Sequence, residues 1–146
     1  MVIRFRWWGL GLGLSFCTCF LAPVQAQTAL YQPLPLALNQ TLTDVLSPQD
    51  IPTGEGGFAR DYQVQLQAND QIVIDLQSNE FDTVLVLIAA DGSTVGANDD
   101  SPEGGSNSLL FARIQEAGRY IVRVRTFGLA GGGRFNLKVT RLRPMD

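Results

Sequence analysis

Beyond its first 26 residues, the chain alternates apolar and polar side chains with a period of two almost throughout. Tyr62, Val64 and Leu66 alternate with Gln63, Gln65 and Gln67. Ile72, Ile74 and Leu76 alternate with Gln71, Asp75 and Gln77, with Val73 as the exception. In a strand, successive side chains leave on opposite faces, so this period predicts strands with one face in water. Tyr120, Val122 and Val124 alternate with Arg119, Arg123 and Arg125, and Phe135, Leu137 and Val139 with Arg134, Asn136 and Lys138. These last two segments are expected to form a hairpin joined through Gly128 to Gly133. Thr83 to Ala89 is apolar on both parities, as in a central strand covered on both sides, and the Asp91-Gly92 that follows is a turn signal.

No segment carries apolar residues at helical spacing, and clusters of Gly, Pro, Asn and Asp separate the strands at intervals typical of antiparallel β folds. The pattern predicts an all-β, antiparallel, jelly-roll-like β-sandwich of seven to eight strands. They fall near residues 36–46, 61–67, 71–78, 83–89, 93–97, 109–114, 119–127 and 133–141, in two sheets packed face to face. Residues 27–35 are expected to be an extended arm. Residues 47–60, with Pro48, Pro52 and Gly54-Glu55-Gly56-Gly57, are expected to be a loop within a sandwich domain spanning residues 36–146.

The N-terminus follows a different logic. Arg4 and Arg6 precede an apolar run from Trp7 to Val24, and Val24-Gln25-Ala26 places small residues three and one before a cleavage point. Residues 1–26 therefore read as a secretory signal peptide, which places the rest in the cell envelope, in the periplasm or outside the cell. A retained anchor is the alternative, because the run is at the lower length limit for a bilayer span. Gly9, Gly11, Gly13 and Pro23 weaken that helix. Lipidation at Cys17 or Cys19 is a third reading, against which stand Phe16 and Thr18, where a small residue would precede the cysteine.

Composition then narrows the chemistry. The chain has 146 residues, no histidine and two cysteines, both inside the leader. A Ser-His-Asp triad, a Cys-His dyad and an ordinary zinc site each need an imidazole or thiolate that the body lacks. Residues 27–110 carry twelve acids and one base, Arg60, while residues 111–146 carry eight bases and two acids. The basic third lacks the interleaved aromatics of a nucleic-acid stacking platform. Outward Arg123 and Arg125 are instead expected to face acids on neighbouring strands, and no nucleic-acid partner is expected.

The acids concentrate in Asn98-Asp99-Asp100 and the loop to Ser108, and Phe81-Asp82-Thr83 opens the most apolar strand. If 83–89 and 93–97 form a hairpin, Asp82 enters where Asn98 leaves, which would gather oxygen donors at one edge. Adjacent carboxylates repel unless a cation or hydrogen-bond donors compensate, and an all-oxygen set suits Ca²⁺. Asp82, Asn98, Asp99 and Asp100 are thus candidate calcium ligands. The other reading is that they are turn formers bonding their own backbone.

Taken in order, Asp61-Tyr62, Ala68-Asn69-Asp70 before Ile72-Val73-Ile74, Phe81-Asp82-Thr83-Val84-Leu85, Asn98-Asp99-Asp100, Asn107-Ser108, Gly118-Arg119-Tyr120-Ile121-Val122 and Gly133-Arg134-Phe135-Asn136-Leu137 resemble the bacterial pre-peptidase C-terminal domain. The resemblance covers about residues 36–140. It implies a jelly-roll-like sandwich of the kind appended to secreted peptidases, similar to the collagen-binding domains of clostridial collagenases, some of which bind calcium through acids. Two departures stand out: no catalytic domain accompanies the module, and the 47–60 loop is long. The expected function is an exported, non-catalytic binding or accessory module for a protein, peptide or glycan, with no membrane contact once the leader is removed.

The alternative is a small secreted hydrolase using paired Asp carboxylates. Asp82-Thr83 resembles the start of the aspartic-peptidase Asp-Thr-Gly, but Val84 stands where the turn needs glycine. A glycosidase would need two carboxylates about 5–10 Å apart across a cleft. Among the aromatics, Phe58, Tyr62, Phe81, Phe111, Tyr120 and Phe135 are expected in the core, while Tyr31 and Phe127 are candidates to anchor a partner.

Overall fold

The computed structural model describes residues 31–100, 105–129 and 131–143. The leader and its cleavage point, the start of the arm and residues 101–104 of the acidic loop lie outside the described residues. All regular structure among the described residues is β: β1 Leu34–Pro35, β2 Thr41–Leu46, β3 Ile51–Pro52, β4 Phe58–Leu66, β5 Gln71–Gln77, β6 Thr83–Ile88, β7 Thr94–Asn98, β8 Ser108–Arg113, β9 Gly118–Thr126 and β10 Gly133–Leu142. The eight longer strands fall where alternation placed them. The two additional ones are two-residue bridges, β1 in the arm and β3 in the segment expected to be a loop.

The strands make a β-sandwich. One sheet has six strands in the order β1-β4-β9-β6-β7, with β3 also on β4; the other has four in the order β2-β10-β5-β8. All pairings are antiparallel except β1 with β4, where Leu34 stands beside Tyr62. Inward residues of both sheets form a continuous core, including Tyr62, Leu66, Ile74, Leu85, Val122 and Leu137, all at most 2% exposed or fully buried. Phe135 receives Tyr62 and Phe81 edge-on, each with ring centroids 6.3 Å away.

The β6–β7 hairpin is present, with Leu85 opposite Asn98 and a bulge at Leu87/Ile88. The expected β9–β10 hairpin is not. β9 pairs with β4 and β6, whereas β10 pairs with β2 and β5, so the glycine-rich link crosses from one sheet to the other. Alternation specifies which side of a strand is buried but not which sheet the strand joins. Gly132, at φ +92°, lies against the carbonyl of Leu46, where a Cβ would collide, so the crossover needs glycine for both space and backbone conformation.

Candidate functional site

The edge that the sequence nominates is closed by side chains of this chain. Because Asn98 stands opposite Leu85, Asp82 lies three residues further along the strand, about 10 Å at roughly 3.3 Å per residue. Asn98 has the inward parity of Leu85, and Asp82 the outward parity of Val84. The Asn98 carboxamide accepts the Leu109 amide N–H at 3.2 Å and so caps the open edge of β8. Asp82, Asp99 and Asp100 are exposed. Among the described residues, no three His, Cys, Asp or Glu side chains come close enough to hold a metal ion.

Beneath that edge is a hydroxyl network that sequence reasoning missed. Fully buried Thr83 and Ser108 share a hydrogen bond of 2.7 Å between their hydroxyls. Thr83 Oγ1 also meets the Ser106 carbonyl, and Ser108 Oγ donates to the Thr83 carbonyl, each at 2.8 Å. Ser78 Oγ donates to the Arg134 carbonyl and accepts from the amides of Glu80 and Phe81. Residues of both sheets are stapled by these bonds, and each polar group is satisfied internally. Asp91 likewise closes its own turn, accepting from the amide and hydroxyl of Ser93, which holds its carboxyl below the ordinary range.

Two ion-pair networks lie astride β4. On its inward parity, Arg60 binds Asp50 through two bonds of 2.7 and 2.9 Å and Asp44 at 2.7 Å, and Tyr62 donates its hydroxyl to Asp44 at 2.8 Å. Burial works against the Asp44 charge, but the bonds from Tyr62, Val45 and Arg60 outweigh it and hold the carboxyl below its usual range. Burial first, then the bond to Asp44, pushes the Tyr62 phenol up. On the outward parity, buried Asp61 takes a two-pronged contact from Arg123, both bonds 2.7 Å, from the residue directly across the ladder. The hydroxyl of Tyr31 in the arm donates to the same carboxylate, and burial followed by this bond raises its pKa to about 12. Arg123 thus has the expected cross-strand acid in Asp61, whereas Arg125 stands opposite Ala59 and Val84 and pairs instead with Glu55 of the loop before β4 at 3.3 Å.

The outward faces of the two sheets differ. The four-stranded sheet presents Thr43, Asn136, Lys138, Asp75 and Gln77 at its centre, with Val45 on one flank and Val73, Leu109 and Phe111 towards the β8 edge. The six-stranded sheet presents Val84, Val86 and Ile88 of β6 beside Ile121 of β9, bordered by Arg119, Arg123 and Arg125. The described residues place no third layer over this strip. Val84 is buried by its neighbours, but Val86, Ile88 and Ile121 are only partly covered. Tyr31, 59% exposed, reaches this face through Asp61, and Phe127, 55% exposed, continues the outward parity of β9. The two anchor candidates therefore belong to one sheet face. Phe111 corrects another expectation: it is 65% exposed, because Leu110, Ala112 and Ile114 take the inward parity of that segment and leave Phe111 outside.

Residues 59–126 match the family model of the bacterial pre-peptidase C-terminal domain. Among solved structures, the pre-peptidase C-terminal domain of a collagenase from Bacillus anthracis aligns with a TM-score of 0.55 and 16% identity, over 74% of this chain and 94% of that one. PliG of Aeromonas hydrophila, a periplasmic inhibitor of g-type lysozyme, aligns with a TM-score of 0.57 and 11% identity, over 75% of this chain and 96% of that one. At such identities the likeness is one of fold. Comparison with curated proteins by sequence gives no match.

Proposed function

Starting from the bacterial pre-peptidase C-terminal domain at residues 59–126, we propose that this protein is a non-catalytic binding module acting in the cell envelope or outside the cell, and that it engages a protein partner through the outward face of its six-stranded sheet. One observation carries the reading. The most apolar strand of the body, β6, shows half-covered Val86 and Ile88 on the side away from the core, next to Ile121. Arginine and tyrosine border that strip, the residue types that anchor protein interfaces. Tyr31 is pre-positioned by its bond to Asp61, so little side-chain freedom is lost on docking.

The carboxylate chemistry supports a binding role over hydrolysis. A general acid needs a raised pKa, yet Asp44, which shares Arg60 with Asp50, is held low. Asp61 is locked on both oxygens by Arg123. Weak calcium binding by the Asn98–Asp100 turn, with Asp82 nearby, is a separate proposal that the module reading does not need.

Panels of peptide and glycan substrates, run beside an array of envelope and secreted proteins, test the function. The wild type should turn over nothing and bind a protein on the array, and Ile121→Lys should weaken that binding at least tenfold. Turnover abolished by Asp99→Ala would establish the hydrolase instead, and selective retention on glycans alone would reassign the partner.

A further inference from the structure

The second opening in the sandwich is at the opposite end from the acidic edge. Along the β7/β8 side the two sheets are drawn together by the Asn98–Leu109 hydrogen bond and by Gly96, where a Cβ would stand only 3.1 Å from Leu110 Cδ1. This closure ends at Val95, and beyond it lies a half-open cleft of about 480 Å³ between the β6–β7 turn and the β8–β9 loop. The volume is within the range of small-ligand sites, roughly 300–1,000 Å³. Ala89, Val95, Ile114, Ala117 and Tyr120 supply apolar wall. The loop is braced by Tyr120, whose hydroxyl donates to the Glu116 carbonyl at 2.8 Å, and by Ile114, whose amide and carbonyl bond Asp70 and Asn69.

Two arginines border the cleft from different sheets, Arg113 at the end of β8 and Arg119 at the start of β9. Among the described residues neither has a carboxylate within ion-pair distance, whereas Arg60, Arg123, Arg125 and Arg141 all do. Arg113 has only a 3.4 Å contact to the Asn69 carboxamide. Asp91 and Glu116 also border the cleft. The lining is therefore charge-balanced, which suits a ligand carrying both an anion and N–H donors better than a bare anion. The open edge of β7 begins at the same place, with Thr94 and Val95 exposed.

We propose that this cleft captures the C-terminal end of an extended peptide. The terminal carboxylate meets Arg113 and Arg119, the last apolar side chain rests against Val95 and Ala117, and the preceding backbone runs along β7. Arg119 borders both this cleft and the Val86 and Ile121 face, but Arg113, Val95 and Ala117 belong to the cleft alone, so loss of binding in Arg113→Gln tests this site apart from the docking reading.

Titration of the isotope-labelled protein with N-acetyl-alanyl-leucine, followed by amide chemical shifts, tests the proposal. The expected result is saturable shifts at Val95, Ile114 and Ala117, with millimolar affinity. The same peptide as its C-terminal amide, and the Arg113→Gln, Arg119→Gln double variant, should each bind at least tenfold more weakly. Arg134→Gln, an exposed arginine outside the cleft, should bind as wild type and controls for general charge. Equal binding of the amide, shifts centred elsewhere, or shifts that never saturate would overturn it. Sodium acetate producing the same shifts at the same concentration would also overturn it, since the site would then take bare anions.

Discussion

The two sheets share one core but meet the surroundings differently. The outward face of the four-stranded sheet is polar at its centre, where Thr43 bonds Asn136 across the ladder and Lys138 stands opposite Asp75, and turns apolar at the β8 edge, where Val73 stands opposite Phe111. Such exposed polar pairs contribute little to stability. The outward face of the six-stranded sheet is apolar at its centre, with a strip on β6 and β9, and carries a buried carboxylate held by an arginine and a tyrosine from the arm. A small chain gains nothing for solubility by leaving Val86, Ile88 and Ile121 half uncovered. The contrast is that one outward face is apolar at its centre and the other only at its flanks, and that the fixed charges of the six-stranded face hold the shape of its surface.

The contrast is broken most strongly by Arg123→Ala. It leaves Asp61 buried without its partner and should destabilise the protein by about 2–3 kcal/mol, lowering the melting temperature by roughly 10 °C. Lys138→Ala on the other sheet should stay within about 0.5 kcal/mol of wild type. Equal effects in thermal melts would show that the two faces are energetically alike.

Tyr31→Phe is a smaller perturbation, because it removes one hydrogen bond at the rim. A cost of about 1 kcal/mol and faster proteolysis within the arm are expected at neutral pH. The phenol's folded pKa, about 12, exceeds the ordinary value near 10, so its contribution is complete below pH 10 and is lost as pH rises through 12. Phenolate absorbance should show a tyrosine titrating late in the wild type, and that step should be missing from Tyr31→Phe. A wild-type Tyr31 titrating near 10 would mean that the arm is not latched.

Calcium should have the smallest effect. With the Asn98 carboxamide already bonded and Asp82 displaced along the strand, weak binding is expected at the proposed site. Calcium near its dissociation constant adds about 0.4 kcal/mol, a shift of one to two degrees in the melting curve relative to chelator. Asp99→Asn with Asp100→Asn should remove that shift. A separation of several degrees would mean a complete high-affinity site at this edge.

The core was legible because alternation reports burial directly: Tyr62, Ile74, Val122 and Leu137 lie where the period of two puts them. Cross-strand chemistry was legible for the same reason, since outward arginines on β9 require acids on a neighbour, and Asp61 is directly opposite Arg123. Sheet membership was not, because β9 and β10 each have one wet face and a short glycine-rich link serves a hairpin or a crossover equally well. The role of Asn98 was hidden too. Its position beside two aspartates suggests a cation, while its actual partner, the Leu109 amide, is 11 residues away across the sandwich. The cleft had no local signal, because Arg113 and Arg119 read as ordinary outward residues and only the tertiary structure sets both at the border of one cleft.

The central claim is that the outward face of the six-stranded sheet is the contact surface, and site-specific photo-crosslinking in the native envelope tests it most directly. A photoreactive side chain at position 121 or 88 should yield a protein adduct of one defined mass, and the same probe at position 138 or 43, on the other outward face, should yield none. Adducts of equal yield from both faces, or only from positions 138 and 43, would contradict the account.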